Sequence, residues 1–158
     1  MNIELKESKL LKILQLTKAK KQLVADKEDQ NKEDKELLGV DKMEKYEVNK
    51  LITEYEQRLD DLEKAIELDS LKQELKSLND KMLDPSFWND QNKAKETTRR
   101  ISFIESNLNT YKSLSDSLSN SKDWWEISEE GTEEWDILIM DLETFSEQIE
   151  EFSVQTLL

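Results

Sequence analysis

The chain has 158 residues, of which 38% are charged and 35% apolar, and its formal net charge is −14. Such a balance suits thin helical bundles better than a thick core, and two glycines and one proline provide little material for an all-β or α/β fold. Cysteine and histidine are absent, which excludes disulfides, thiolate zinc sites and the commonest general base. We therefore expect an all-α fold, an antiparallel helical bundle with long coiled-coil-like helices, that needs no cofactor and no metal.

The first 42 residues form an extension of unknown role. A weak amphipathic helix is predicted over residues 1–25, with Leu10, Ile13, Leu14 and Leu16 as its apolar side. Nine of the 11 residues from Asp26 to Glu36 are charged, which predicts a solvated helix or a flexible linker. We expect residues 43–158 to form a separate domain.

Two helices are predicted next. The first runs from about Met43 to Leu68, and its apolar stripe is Leu51, Tyr55, Leu59, Leu62 and Ile66. Ser70 and Gln73 have the spacing of a capping box, so a new helix is expected to begin after Asp69. Leu71, Leu75, Leu78 and Met82 then recur on one helical face up to Asp84.

The segment from Asp84 to Asp90 interrupts the helical pattern and holds the only proline. Pro85 cannot continue the preceding helix, whereas Asp84 can cap a short turn that Pro85 begins. Asn89 or Asp90 can cap the following helix. Phe87 and Trp88 are bulky aromatics at a helix break, and we expect Trp88 to be buried at the junction of the two helices.

The remaining chain predicts two more helices. One extends from about Asp90 to Ser119, where a serine-rich run weakens its end. A connector from Lys122 to Gly131 holds Trp124 and Trp125, which either pack over the end of the bundle or form a hot spot for a partner. Thr132 can cap the last helix, in which Leu138, Leu142, Phe145, Ile149 and Phe152 make the cleanest heptad.

Charge is distributed unevenly along the chain. Residues 1–42 carry ten Lys against nine Asp or Glu, whereas residues 43–158 carry 13 Lys or Arg against 28 acidic residues, and no basic residue follows Lys122. This acidic surface disfavours broad nucleic-acid binding, and it is either a solvated face or a docking face for a basic partner. With no apolar run of membrane-spanning length and no signal peptide, we expect no membrane association and a cytoplasmic location.

Catalytic patterns are weak. Glu129 and Glu130 are adjacent acids, but no Gly-rich phosphate loop accompanies them, since Gly39 and Gly131 stand alone. We therefore predict that this chain is not an enzyme and has no catalytic, cofactor-binding or metal-binding residues.

The residues from Leu71 to Asp90, with the motif residues Asp84, Pro85, Phe87, Trp88, Asn89 and Asp90, resemble the first domain of the bacterial peptide chain release factor 2 family. The similarity extends over roughly residues 43–158. It implies an accessory role in translation termination, with the ribosome as partner at the stalk base of the large subunit. A competing interpretation is a structural coiled-coil or helical-bundle module that binds other proteins.

Three departures from that family are visible. Residues 1–42 match nothing in it, and Ile66 to Asp69 replace its Gly-containing turn. Neither the Ser-Pro-Phe tripeptide that reads the stop codon nor the Gly-Gly-Gln loop of peptide release occurs in these residues. The resemblance therefore implies a chain that neither reads a stop codon nor hydrolyses peptidyl-tRNA.

Overall fold

The computed structural model describes residues 43–157. Four α-helices account for most of them: α1 (Lys45–Ala65), α2 (Leu68–Met82), α3 (Gln91–Ile127) and α4 (Glu133–Leu157), with a short 3-10 helix, Pro85–Asn89, between α2 and α3. No strand occurs in this part of the chain. The predicted all-α bundle is confirmed, while the prediction for residues 1–42 lies outside the described residues.

The fold divides into two compact units, and each has its own core. Within the described residues, the first unit contains the chain up to Tyr55 together with Leu118–Ser146. The Tyr55 ring packs against the Phe145 ring at a tilt of 45°, with centroids 5.1 Å apart, and Trp135 contacts the backbone of Met43. Helices α1 and α4 therefore run in the same direction here. The short turn between α3 and α4 makes those two helices antiparallel. The buried apolar residues of this unit are Val48, Ile52, Tyr55, Leu118, Trp135, Ile137, Leu138, Ile139, Leu142 and Phe145.

The second unit contains Glu56–Ser117 and the end of α4 from Glu147. Tyr111 of α3 contacts Leu59 and Glu63 of α1, and Arg100 of α3 pairs with Glu74 of α2. The contacting residues have increasing numbers along α1 and α2 and decreasing numbers along α3. Helix α3 is therefore antiparallel to both. The buried apolar residues are Leu59, Leu62, Leu68, Ala94, Ile101, Ile104, Leu114, Ile149 and Phe152.

Two helix boundaries differ from the sequence prediction. Helix α2 begins at Leu68 rather than after Asp69, and the residue before it, Glu67, has a left-handed backbone with φ 53° and ψ 57°. No side chain caps this helix, so the Ser70–Gln73 capping box is wrong. Leu68 is only 4% exposed, and its burial accounts for the earlier start.

Helix α3 is longer than predicted. It does not end at Ser119 but continues through Trp124 and Trp125 to Ile127, so these tryptophans do not lie in a connector. Leu114, Leu118 and Ser121 recur on one buried face of the serine-rich run. Packing of that face outweighs the weak helix propensity of the serines. The true connector is residues 128–132, in which Gly131 has φ +79° and Thr132 caps α4 by accepting a hydrogen bond from the Trp135 N–H.

Candidate functional site

The tip between α2 and α3 is built by two aspartates that act as caps. Asp84 has an extended backbone, and its Oδ1 accepts hydrogen bonds from the Ser86 backbone N–H at 3.0 Å and the Ser86 hydroxyl at 2.9 Å. These bonds, the backbone one first, lower the pKa of Asp84 below its ordinary value. Pro85 takes the first position of the 3-10 helix. Asp90 Oδ1 accepts from the Lys93 N–H at 3.2 Å and caps α3, as the sequence predicted.

The two aromatics of the tip differ in exposure. Phe87 is half-buried, whereas Trp88 is 54% exposed and meets Phe87 edge to face at 5.2 Å between centroids. The prediction that Trp88 is buried is therefore wrong. A 3-10 helix has three residues per turn, so consecutive side chains point about 120° apart and only one of the pair can face the bundle. Leu83, directly before the tip, is 80% exposed.

Trp125 and Trp135 hold the start of α1. Trp125 donates its indole N–H to the Lys45 carbonyl at 2.7 Å, and the Lys45 ammonium lies 5.1 Å from the centre of that ring. Trp135, only 1% exposed, donates its indole N–H to the Met43 carbonyl at 3.0 Å. Trp124 and Trp125 are half-buried. These contacts favour a packing role for Trp125 over a partner-binding one.

Trp135 was not identified from the sequence as a residue of interest. The available signal was its position three residues after the capping Thr132, in the first turn of α4. The remaining predicted residues, Asp84 to Asp90, lie together at the tip, at the opposite end of α3 from Trp125.

The described residues offer no catalytic arrangement. Glu129 and Glu130 are exposed, and a Glu130 carboxylate oxygen accepts from the Lys45 backbone N–H. No group of three or more acidic residues within 43–157 is placed to hold a metal ion. A search of the described helices found none that is both long and apolar enough to cross a membrane.

A groove on the second unit is wide but polar. It has a volume of about 420 Å³ and lies between α3 and the end of α4. Its lining residues are Asn109, Thr110, Ser113, Leu114, Gln148, Glu151, Phe152 and Gln155. Small-molecule sites are predominantly apolar and enclosed, whereas six of the eight residues that line this groove are polar or charged.

Comparison with known proteins identifies related sequences. The PCRF domain family matches residues 71–158, more than half of the chain. Proteins named peptide chain release factor 2 are similar: that of Acholeplasma laidlawii is 37% identical over 116 residues, covering 73% of this chain and 32% of that protein. That of Petrotoga mobilis is 30% identical over 88 residues, covering 56% of this chain and 24% of that protein. That of Nitratiruptor sp. is 27% identical over 118 residues, covering 73% of this chain and 32% of that protein. The chain thus spans about a third or less of these relatives. No solved structure matches it.

Proposed function

Because the chain belongs to the PCRF domain family, we propose that it is the N-terminal accessory domain of a class I peptide chain release factor of the release factor 2 type. It acts in translation termination at the ribosome, in the cytoplasm, and supplies no catalytic group. The observation that carries the proposal is the family match, which extends from α2 through the tip and α3 to α4. The motif residues Asp84 to Asp90 lie within it, with structural roles as caps and turn residues.

The proposed docking partner is a basic ribosomal protein at the stalk base of the large subunit. Helix α4 supports this choice because it carries eight acidic residues and no basic one between Glu133 and Leu157. Glu147 and Glu151 are exposed and one helical turn apart, and neither is in an ion pair between described residues. Exposed carboxylates such as these attract cationic surfaces and set the rate and salt dependence of association.

The first test is sedimentation of the chain with bacterial ribosomes over a range of salt concentrations. We expect weak binding that falls as salt rises, because exposed charges are screened beyond about 10 Å at 0.1 M. Intact release factor 2 should displace the chain. Reversal of two charges, Glu147→Lys with Glu151→Lys, should weaken binding roughly tenfold.

The matched control is Glu47→Lys with Glu54→Lys, an equal charge change at exposed positions on α1, a helix that also carries basic residues. This variant should bind nearly as the parent does. Equal weakening by both pairs would contradict docking through α4, and failure of release factor 2 to compete would contradict the shared site. In a peptide-release assay with this chain as the sole factor, stop-codon-dependent release above background would overturn the non-catalytic assignment.

A further inference from the structure

The first half of α4 carries an exposed face opposite its buried stripe. Met140 lies two residues from both Leu138 and Leu142, and since an α-helix turns by about 100° per residue, its side chain points away from those buried leucines. Asp136 and Glu143, four residues before and three residues after Met140, share its side of the helix. Met140 is 37% exposed and Glu143 is exposed. Asp136, Met140 and Glu143, all in the first unit, are called the outer face of α4.

Charge distinguishes α4 from the other helices. Among the four helices that the structure describes, it is the only one without Lys or Arg. Its residues 133–146, the part that belongs to the first unit, carry five acidic groups. A cationic segment is therefore attracted to this helix more strongly than to α1, α2 or α3, in which acidic and basic residues are interspersed.

A cationic segment of the same chain precedes the described residues. Residues 8–25 contain five Lys and no Asp or Glu, whereas residues 26–42 contain four Lys against seven Asp or Glu. Since α4 repels the second stretch, charge complementarity selects residues 8–25 as the occupant of the outer face. The same segment contains the leucines and isoleucine of the helix predicted from the sequence, which suit the adaptable thioether side chain of Met140.

The described chain also starts beside α4. The Met43 carbonyl accepts the Trp135 indole N–H at 3.0 Å, and Met140 lies about 8 Å further along the helix. Seventeen residues, 26–42, connect the segment to Met43. They span up to about 60 Å when fully extended and about 26 Å as a helix, and either span exceeds that distance together with the roughly 10 Å width of α4. Such a tether gives a local concentration on the order of millimolar, so we expect even a weak contact to be populated.

We propose that residues 8–25 dock on the outer face of α4 within the same chain and screen that helix from basic partners. The lysines of the segment face the acidic groups of α4, and Met140 contacts its apolar side chains. The screening role rests on the function proposed above, because it requires that α4 meets a basic ribosomal protein. The docking itself does not depend on that function.

The test uses the full chain. Because it contains no cysteine, Gln15→Cys accepts a single nitroxide label in the middle of the basic segment, and amide NMR spectra compare the oxidised with the reduced label. We expect the amide signals of Met140 and Glu143 to be lost with the oxidised label at low salt. They should return as salt is added, because the range of electrostatic attraction shortens to about 3 Å at 1 M.

A pair of variants on the described helices tests the position of the contact. Met140→Lys with Glu143→Lys should restore the amide signals at these two positions. The matched control is Tyr46→Lys with Glu47→Lys, which replaces an exposed apolar residue and an exposed glutamate on α1 of the same unit. This control should keep the signal loss of the parent, and thermal melting should be the same in both variants.

A third variant changes the segment and leaves every described residue as it is. Lys9→Gln, Lys12→Gln and Lys18→Gln together should restore the Met140 and Glu143 signals. If α4 meets a basic ribosomal protein, this variant should also sediment with ribosomes more strongly than the parent, because α4 is then less screened. Unchanged sedimentation would contradict the screening role.

Three results would overturn the docking. They are undiminished Met140 and Glu143 signals in the labelled parent, equal recovery in the α1 control, and no recovery when the lysines are replaced. A second copy of the chain offers the same segment, so isotope-enriched chains are also mixed with nitroxide-labelled chains that are not enriched. Signal loss in that mixture would show that the contact is between chains. The NMR measurement needs no ribosome, so failure here and failure of the termination role are distinguishable.

Discussion

Glu67 adopts a backbone conformation that most residues avoid. Its φ of 53° and ψ of 57° lie in the left-handed region, where a side chain with a β-carbon costs about 1–2 kcal/mol and glycine costs little. The residue ends α1 and allows α2 to begin at the buried Leu68. The sequence held a signal for this backbone conformation, since Ile66 to Asp69 stand where the family that this chain resembles has a Gly-containing turn.

Replacing Glu67 with glycine should stabilise the protein. We expect Glu67→Gly to raise the free energy of unfolding by about 0.5–1 kcal/mol, because the relieved strain exceeds the added entropy of the unfolded chain. Urea denaturation measures the change. The control, Lys72→Gly in the exposed interior of α2, should lower stability by about 1 kcal/mol. A loss of stability in Glu67→Gly would show that the turn is not strained.

The tip shows which residue-level features the sequence could predict. Capping by Asp84 and Asp90 and the position of Pro85 followed from local chemistry, since each depends on bonds within three residues. The exposure of Trp88 could not be predicted in the same way. Periodicity indicates which residues of a long helix face the core, but in a five-residue 3-10 turn the choice between Phe87 and Trp88 depends on how the turn is docked.

Tyr111 connects α3 to α1 within the second unit. Its hydroxyl donates to a Glu63 carboxylate oxygen at 3.1 Å and lies 3.4 Å from the Leu59 carbonyl. Burial, and then the Glu63 hydrogen bond and charge, raise the pKa of Tyr111 to about 12. The folded protein therefore retains this proton at pH values where the unfolded chain, with an ordinary tyrosine pKa near 10, has lost it.

The sign of the pH dependence follows from this difference. The contribution of Tyr111 is complete below pH 10 and is lost as pH rises from about 10 to about 12. Tyr111→Phe should cost about 1 kcal/mol at neutral pH, and its difference from the parent should shrink across that window in alkaline denaturation curves. Tyr46→Phe, at a side chain that is 68% exposed, should leave the alkaline loss in place. A constant difference between the parent and Tyr111→Phe would refute the linkage.

At the scale of elements, existence and type were predictable, but lengths were not. The heptad of α4 is confirmed, with Leu138, Leu142, Phe145, Ile149 and Phe152 all buried. The predicted end of α3 was wrong because helix propensity considers the serine-rich run by itself. In the folded protein Leu118 and Ser121 are buried, and that tertiary burial is not visible in local composition.

At the scale of the whole molecule, each of the two units contains its own set of buried side chains, contributed by more than one of the described helices. The sequence indicated a boundary near Met43 from the charge-dense stretch that precedes it. A chain that begins at Met43 should therefore melt cooperatively and keep most of its helical signal per residue. Circular dichroism and calorimetry test this.

A shorter chain that begins at Val48 provides the comparison. It lacks the Met43 and Lys45 carbonyls that accept the indole hydrogen bonds, so it should be less stable by about 2 kcal/mol, at roughly 1 kcal/mol for each bond. If the chain beginning at Met43 loses cooperativity, residues 1–42 belong to the core. Equal melting of the two shortened chains would show that the indole bonds contribute nothing.

Those indole bonds also have a mechanical consequence. A helix terminus usually peels turn by turn when it is pulled, because each backbone bond in turn carries the whole load. Here the first carbonyls of the described chain are tied to side chains on α3 and α4. We therefore expect a force applied at Met43 to be transmitted to two other helices before α1 unravels.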